Sequence, residues 1–89
     1  MEKVERLAAI LITFKKENEQ IPVLNGILSN HSKYILSRSG LSLPHKNYNI
    51  ITLIVEAEID IINSLAGKLG KLDSLNINVL VEKNHVRLK

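Results

Sequence analysis

The sequence predicts a single α+β domain with the element order β-α-β-β-α-β, and three observations carry that expectation. Residues 7–14 and 48–55 are short, near-continuous apolar runs rich in β-forming residues, as in strands at the centre of a sheet. Two other segments space their apolar residues three and four apart, the mark of helices with one buried stripe. Residues 75–81 alternate apolar and polar, as a half-buried edge strand does. At 89 residues the chain holds one core, so the whole of 1–89 reads as one domain. Its ordered part is expected over about residues 6–83, before a polar C-terminal tail.

Taken in order, Leu7-Ala8-Ala9-Ile10-Leu11-Ile12-Thr13-Phe14 is strand 1. A charged connection over residues 15–20 leads to helix 1, whose stripe is Ile21, Leu24, Ile27, Leu28 and His31. Pro22 requires the helix to begin near residues 18–21, since only in the first turn does its missing N–H have no intrahelical partner to lose. Gly26 inside this helix is expected to let it approach the sheet closely. Strand 2 spans residues 34–41, and Pro44, His45, Lys46 and Asn47 form a polar turn. Strand 3 is the β-branched run of residues 48–55. Asp60 is expected to cap helix 2, which carries Ile61, Leu65, Leu69 and Leu72 on one stripe with Ile62 and Ala66 beside it. Strand 4 sets Leu75, Ile77, Val79 and Val81 against Asn76 and Asn78.

This order is the ferredoxin-like split pattern, which puts strands 1 and 3 in the centre of a four-stranded antiparallel sheet with both helices on one face. A consequence follows for the other face. A strand wet on one side should alternate, yet strands 1 and 3 do not: Leu7, Ala9, Leu11, Ile51, Leu53 and Val55 compete with their neighbours for one core. The simplest cover for a second apolar face is another copy of the chain, giving a dimer or tetramer. The three aromatics, Phe14, Tyr34 and Tyr48, leave the core aliphatic, and a small aliphatic core gains from such burial.

Composition excludes more than it selects. There is no cysteine, hence no disulfide, thiol catalysis or thiolate metal site. No apolar block approaches the roughly 18–20 residues that span a bilayer, and Met1-Glu2-Lys3-Val4-Glu5-Arg6 does not resemble a secretion signal. A cytoplasmic protein without a membrane partner is the expectation. The net charge of +3 is mild and the basic residues are scattered, with Lys15-Lys16 answered by Glu17 and Glu19. A regulator that binds nucleic acid through Lys15, Lys16, Arg38 and Lys46 is the alternative reading.

Catalytic and metal chemistry find little footing. His31, His45 and His85 share no element at ligand spacing and read as surface residues; Glu82 and His85 are three apart but in the polar tail. Ser37 and Ser39 flank Arg38 without a base, while Ser29 and Ser32 suit the end of helix 1. Glu56, Glu58 and Asp60 cluster at a helix start and suit its dipole. Small phosphatases of this topology use an Arg-bearing, glycine-rich loop after strand 1; here the loop is Lys15-Lys16-Glu17-Asn18-Glu19-Gln20. RNA-recognition motifs stack bases on aromatics of the central strands, where this chain has only Phe14 and Tyr48 at the ends. Gly67-Lys68-Leu69-Gly70 has the letters of a KH-domain clamp but lies inside a helical pattern, where the glycines let helix 2 pack closely or end it. Amino-acid-binding ACT domains share the topology, but their glycine-containing turn after strand 1 is missing. No enzyme, no cofactor, no metal and no catalytic residue are expected.

Two segments carry a family resemblance: Ile35-Leu36-Ser37-Arg38-Ser39-Gly40-Leu41 and Ile62-Asn63-Ser64-Leu65-Ala66-Gly67-Lys68-Leu69-Gly70-Lys71-Leu72. Together they resemble small stand-alone domains described as iron-only hydrogenase system regulators, over about residues 6–83. That family is similar in fold to ACT domains and to the C-terminal regulatory domain of the nickel-responsive repressor. The resemblance implies a ferredoxin-like, ACT-like homo-oligomer with a regulatory role, and the leading expectation is a module that binds a small molecule or protein partner between subunits. It carries over no site residues. Nickel binding is not transferred, because the repressor's histidine and cysteine ligands have no counterpart in the central strands. No DNA-binding segment is recognised either, so an effect on transcription would run through another protein or an unrecognised surface.

Overall fold

The computed structural model describes residues 4–82. Within them the elements are β1 (Glu5–Lys15), α1 (Ile21–Asn30), a 3-10 turn (Ser32–Tyr34), β2 (Ile35–Leu43), β3 (Tyr48–Glu58), α2 (Ile59–Gly70) and β4 (Asn76–Val81). The strands form one antiparallel sheet in the order β2-β3-β1-β4. The α+β, ferredoxin-like architecture and the central position of β1 and β3 are those expected from the sequence. Residues 83–89, with most of the expected polar tail and His85, lie outside the described residues.

The strand registers sort every side chain onto one of two faces. β1 pairs with β3 from Glu5↔Glu58 to Lys15↔Tyr48, and with β4 from Ala8↔Val81 to Thr13↔Asn76. Because strand side chains alternate, Ala8, Ile10, Ile12 and Phe14 of β1 share a face with Ile51, Leu53, Val55 and Ala57 of β3. All eight are buried, and α1 closes over them with Leu24 and Leu28, α2 with Ile62, Leu65 and Leu69. Ile77 and Val81 of β4 pack on the margin of this core. Of the six residues expected to compete for the core, Ile51, Leu53 and Val55 win it, and Leu7, Ala9 and Leu11 lie on the other face.

Several local expectations are corrected. α2 is capped at Glu58, and Asp60 sits inside its first turn, because β3 runs three residues further than its β-branched core suggests. Glu56 is accordingly a strand residue, not part of the helix start. The buried stripe of α2 centres on Ile62, Leu65 and Leu69, with Ile61 and Ala66 at its edges, while Leu72 packs on the core from beyond the helix, which ends at Gly70. β1 includes Lys15, β2 starts at Ile35 after the 3-10 turn and runs to Leu43, and Leu75 precedes β4. A β-bulge between Ile35 and Ser37 interrupts the pairing of β2 with β3.

The glycines do not serve close packing. Gly26 and Gly67 are exposed on helical turns, with open space where a Cβ would stand. Gly70 ends α2, as one of the two expected roles had it. His31 is buried, not on the surface: its Nδ1–H donates to the Ile27 carbonyl at 2.7 Å as α1 ends. Since a carbonyl only accepts, the proton is on Nδ1. Two non-glycine residues have left-handed backbone, Asn47 (φ 55°) closing the β2–β3 turn and Ser74 (φ 65°) before β4.

Candidate functional site

The face of the sheet opposite the helices is the largest feature the fold leaves unexplained. Strand alternation brings Leu7, Ala9 and Leu11 of β1 onto it with Ile50 and Ile54 of β3, Leu41 of β2 and Leu80 of β4. Polar residues lie among and around them, with Ser39 and Thr52 paired across β2 and β3, and Asn76 and Asn78 on β4. Exposure alternates sharply along one strand. Ile10 is 0 % exposed and Leu11 beside it 40 %, while Leu80 and Leu41 on the edge strands reach 74 % and 59 %. Ala9 sits between Leu80 and Ile54, and this small residue between large ones leaves a shallow depression of about 190 Å³. Leu7, Ala8, Ala9, Ile54, Leu80 and Glu82 line it.

The charges of this face lie at its two ends. Glu56 stands opposite Leu7 and Glu58 opposite Glu5, and Glu82, whose N–H donates to the Leu7 carbonyl at 2.8 Å, joins them. Lys15 closes the other end of β1, across from Tyr48.

A second concave region of about 270 Å³ lies where the β1–α1 connection meets the loop before β4, lined by Lys15, Glu17, Asn18, Glu19, Gln20, Asp73 and Ser74. Asn18 holds it together. Its Oδ1 accepts from the Gln20 N–H at 2.7 Å, and its Nδ2 donates to the Asp73 carbonyl at 3.3 Å. Asn18 drew no attention in the sequence, where its only mark was that an Asx turn suits the start of a helix. A third cleft, about 370 Å³, separates α1 from the β2 edge, and Arg38 reaches across it to donate to Asn25 Oδ1 at 3.1 Å.

The residues named from the sequence are largely dispersed. Lys15, Lys16 and Lys46 come to one end of the molecule, with the Lys16 N–H donating to the Asn47 carbonyl, while Arg38 stands apart beside α1. Glu17, at the same end as the lysines, accepts both bonds of the Asn47 amide at 2.7 and 2.8 Å. Phe14 is buried under the helices, so the open face offers Tyr48 and no second aromatic to a stacked base. The Gly67–Gly70 segment lies within α2, not in a loop. Ser37 and Arg38 line the α1–β2 cleft with Ser29 and Ser32. Among the described residues no three of His, Asp and Glu gather as metal ligands would, and no helix is long and apolar enough to cross a membrane.

No curated protein matches the chain. Among solved structures it is similar to the uncharacterized protein TM1266 from Thermotoga maritima, at 28% identity and a TM-score of 0.83, covering 89% of this chain and 99% of that one. It is also similar in fold to the ACT domain from the GTP pyrophosphokinase of Chlorobium tepidum, at 20% identity and a TM-score of 0.65, covering 90% and 89%. The model of the TM1266-like family, described as "Iron-only hydrogenase system regulator, putative", matches residues 6–79. With that match spanning both helices and all but the end of β4, the chain belongs to the TM1266-like family and has an ACT-like, ferredoxin-like fold.

Proposed function

We propose that this protein is a homo-oligomeric regulatory module that binds a small molecule or protein partner where its subunits meet, and that it is not an enzyme. The observation that supports this best is the apolar centre of the open sheet face, on the two strands that also hold the core. Exposed apolar residues scattered singly need no explanation, but Leu7, Leu11, Ile54, Leu80 and Leu41 lie on one side of one sheet. A four-stranded face of this length offers on the order of 500–600 Å² per copy, from about 3.3 Å per residue and 4.8 Å per strand. Two such faces together bury about 1,000–1,200 Å², at the lower bound for a specific interface.

The regulatory role rests on the family and fold. The family is described as a hydrogenase-system regulator, and the fold is shared with the ACT domain of a GTP pyrophosphokinase. The cytoplasm is the compartment this reading assigns. Any effect on transcription is assigned to a partner protein, since the described residues hold no recognisable DNA-reading element.

The test is the mass of the wild-type protein in solution, measured by sedimentation velocity and light scattering across micromolar concentrations. A dimer or tetramer is expected. A well-behaved monomer at high micromolar concentration overturns the proposal.

A further inference from the structure

Two copies joined through the same sheet face are related by a two-fold axis lying between the sheets, and that axis has distinguishable orientations. If it runs along the strands, like ends of the two faces overlie each other. If it runs across the strands, each end meets the opposite end of its partner. The distribution of charge on this face chooses between them.

Glu5, Glu56, Glu58 and Glu82 stand at the end of the face where β1 begins. Lys15 stands at the far end of β1, ten residues from Glu5 and about 33 Å away at 3.3 Å per residue. Among the described residues it is the one basic strand residue on this face, the register having turned Arg38 toward α1. Lys46, in the adjoining β2–β3 turn, adds a cation beside it, while Glu17, Glu19 and Asp73 line the loop region next to Lys15 and leave it the one charged strand residue of the face at that end. Between the two ends the face is uncharged.

Stacked sheets lie about 10 Å apart. With like ends overlaid, the four carboxylates of one copy would face the same four of the other. With opposite ends overlaid, the same groups become cross-subunit ion pairs flanking the apolar centre.

We infer that a second copy of this chain packs on the open face with its strands running antiparallel, so that Lys15 of each subunit lies over the Glu5–Glu56 end of the other. This rests on the self-association proposed above and specifies its geometry. Ion pairs at such a rim select register and orientation more than they add affinity, so the apolar centre remains the source of binding.

The test uses wild type, Lys15→Glu, Glu56→Lys and the chain carrying both changes, each followed by sedimentation in low salt. Each single reversal is expected to weaken association about tenfold, as exposed pairs become repulsions on both sides of the two-fold. The double reversal should return it to within about threefold of wild type, since each new glutamate then faces a new lysine. Because the chain contains no cysteine, His45→Cys takes a single spin label at the basic end without touching either pair. Antiparallel packing predicts a label-to-label distance beyond about 30 Å, whereas like ends overlaid give under about 20 Å, from the strand lengths and sheet spacing. A wild-type dimer with the short distance, or a double reversal no better than the singles, overturns the orientation while leaving self-association intact. A wild-type monomer overturns both.

Discussion

His31 and the two helical glycines depart from their sequence reading for opposite reasons. The histidine ends an apolar stripe, so helical periodicity carries it inward, and the Ile27 carbonyl satisfies the ring nitrogen that burial would otherwise strand. Gly26 and Gly67 sit on the outward turns of their helices, where no neighbour crowds a Cβ. Neither has the positive φ that would require glycine. Each therefore costs helix stability without a packing gain in the subunit. Gly26→Ala and Gly67→Ala should each stabilise the protein by about 0.5–1 kcal/mol in urea denaturation, through a less flexible unfolded chain and better helix propensity. Destabilisation by either alanine would mean that some surface approaches that turn more closely than the subunit itself does.

At the scale of the element, β1 is two strands in one. Its even residues, Ala8 to Phe14, belong to the helix-covered core, and its odd residues, Glu5 to Lys15, to the open face. Substitutions at neighbouring positions should therefore separate folding from association. Ile10→Ala removes a fully buried side chain between the sheet and helices and should cost about 2–5 kcal/mol in stability. Leu11→Gln keeps the core and a similar side-chain size, so the subunit should retain its fold by circular dichroism while its oligomer dissociates. Equal loss of fold in both variants would contradict the two-face division. This division also shows what the sequence made legible. The unbroken apolar runs of residues 7–14 and 48–55 identified the central strands, because half-wet strands alternate. They could not say which of Leu11 and Leu53 faces the helices, since side-chain facing depends on register and a one-residue slip exchanges the faces. Element ends were blurred for a related reason: Glu56 and Glu58 look like helix-start residues until pairing with β1 extends β3 to Glu58. Asn18 stayed unremarked because the Asp73 carbonyl it binds is 55 residues away.

For the molecule as a whole, folding and association are expected to be one linked equilibrium. The core is aliphatic but for Phe14, and the outer face of the same two strands leaves Leu7, Leu11 and Ile54 at least partly exposed in the isolated subunit. Burying that face against a second copy adds favourable transfer free energy of about 25 cal/mol per Å² of apolar area, partly offset by the entropy of association. A ligand that binds only the folded state stabilises it in proportion to the logarithm of its concentration, and under the proposed self-association that ligand is the chain itself. The midpoint of thermal unfolding should therefore rise with protein concentration, by several degrees between about 5 and 500 μM for a domain this small. In Leu11→Gln that dependence should flatten while the low-concentration midpoint stays near wild type, because the change touches the interface and not the helix-covered core. Salt should lower the wild-type midpoint at high protein concentration more than at low, since the pairs proposed for Lys15 would form only between subunits. A midpoint independent of concentration in the wild type would place the whole stability of the fold within one subunit, and the apolar open face would then need a different occupant.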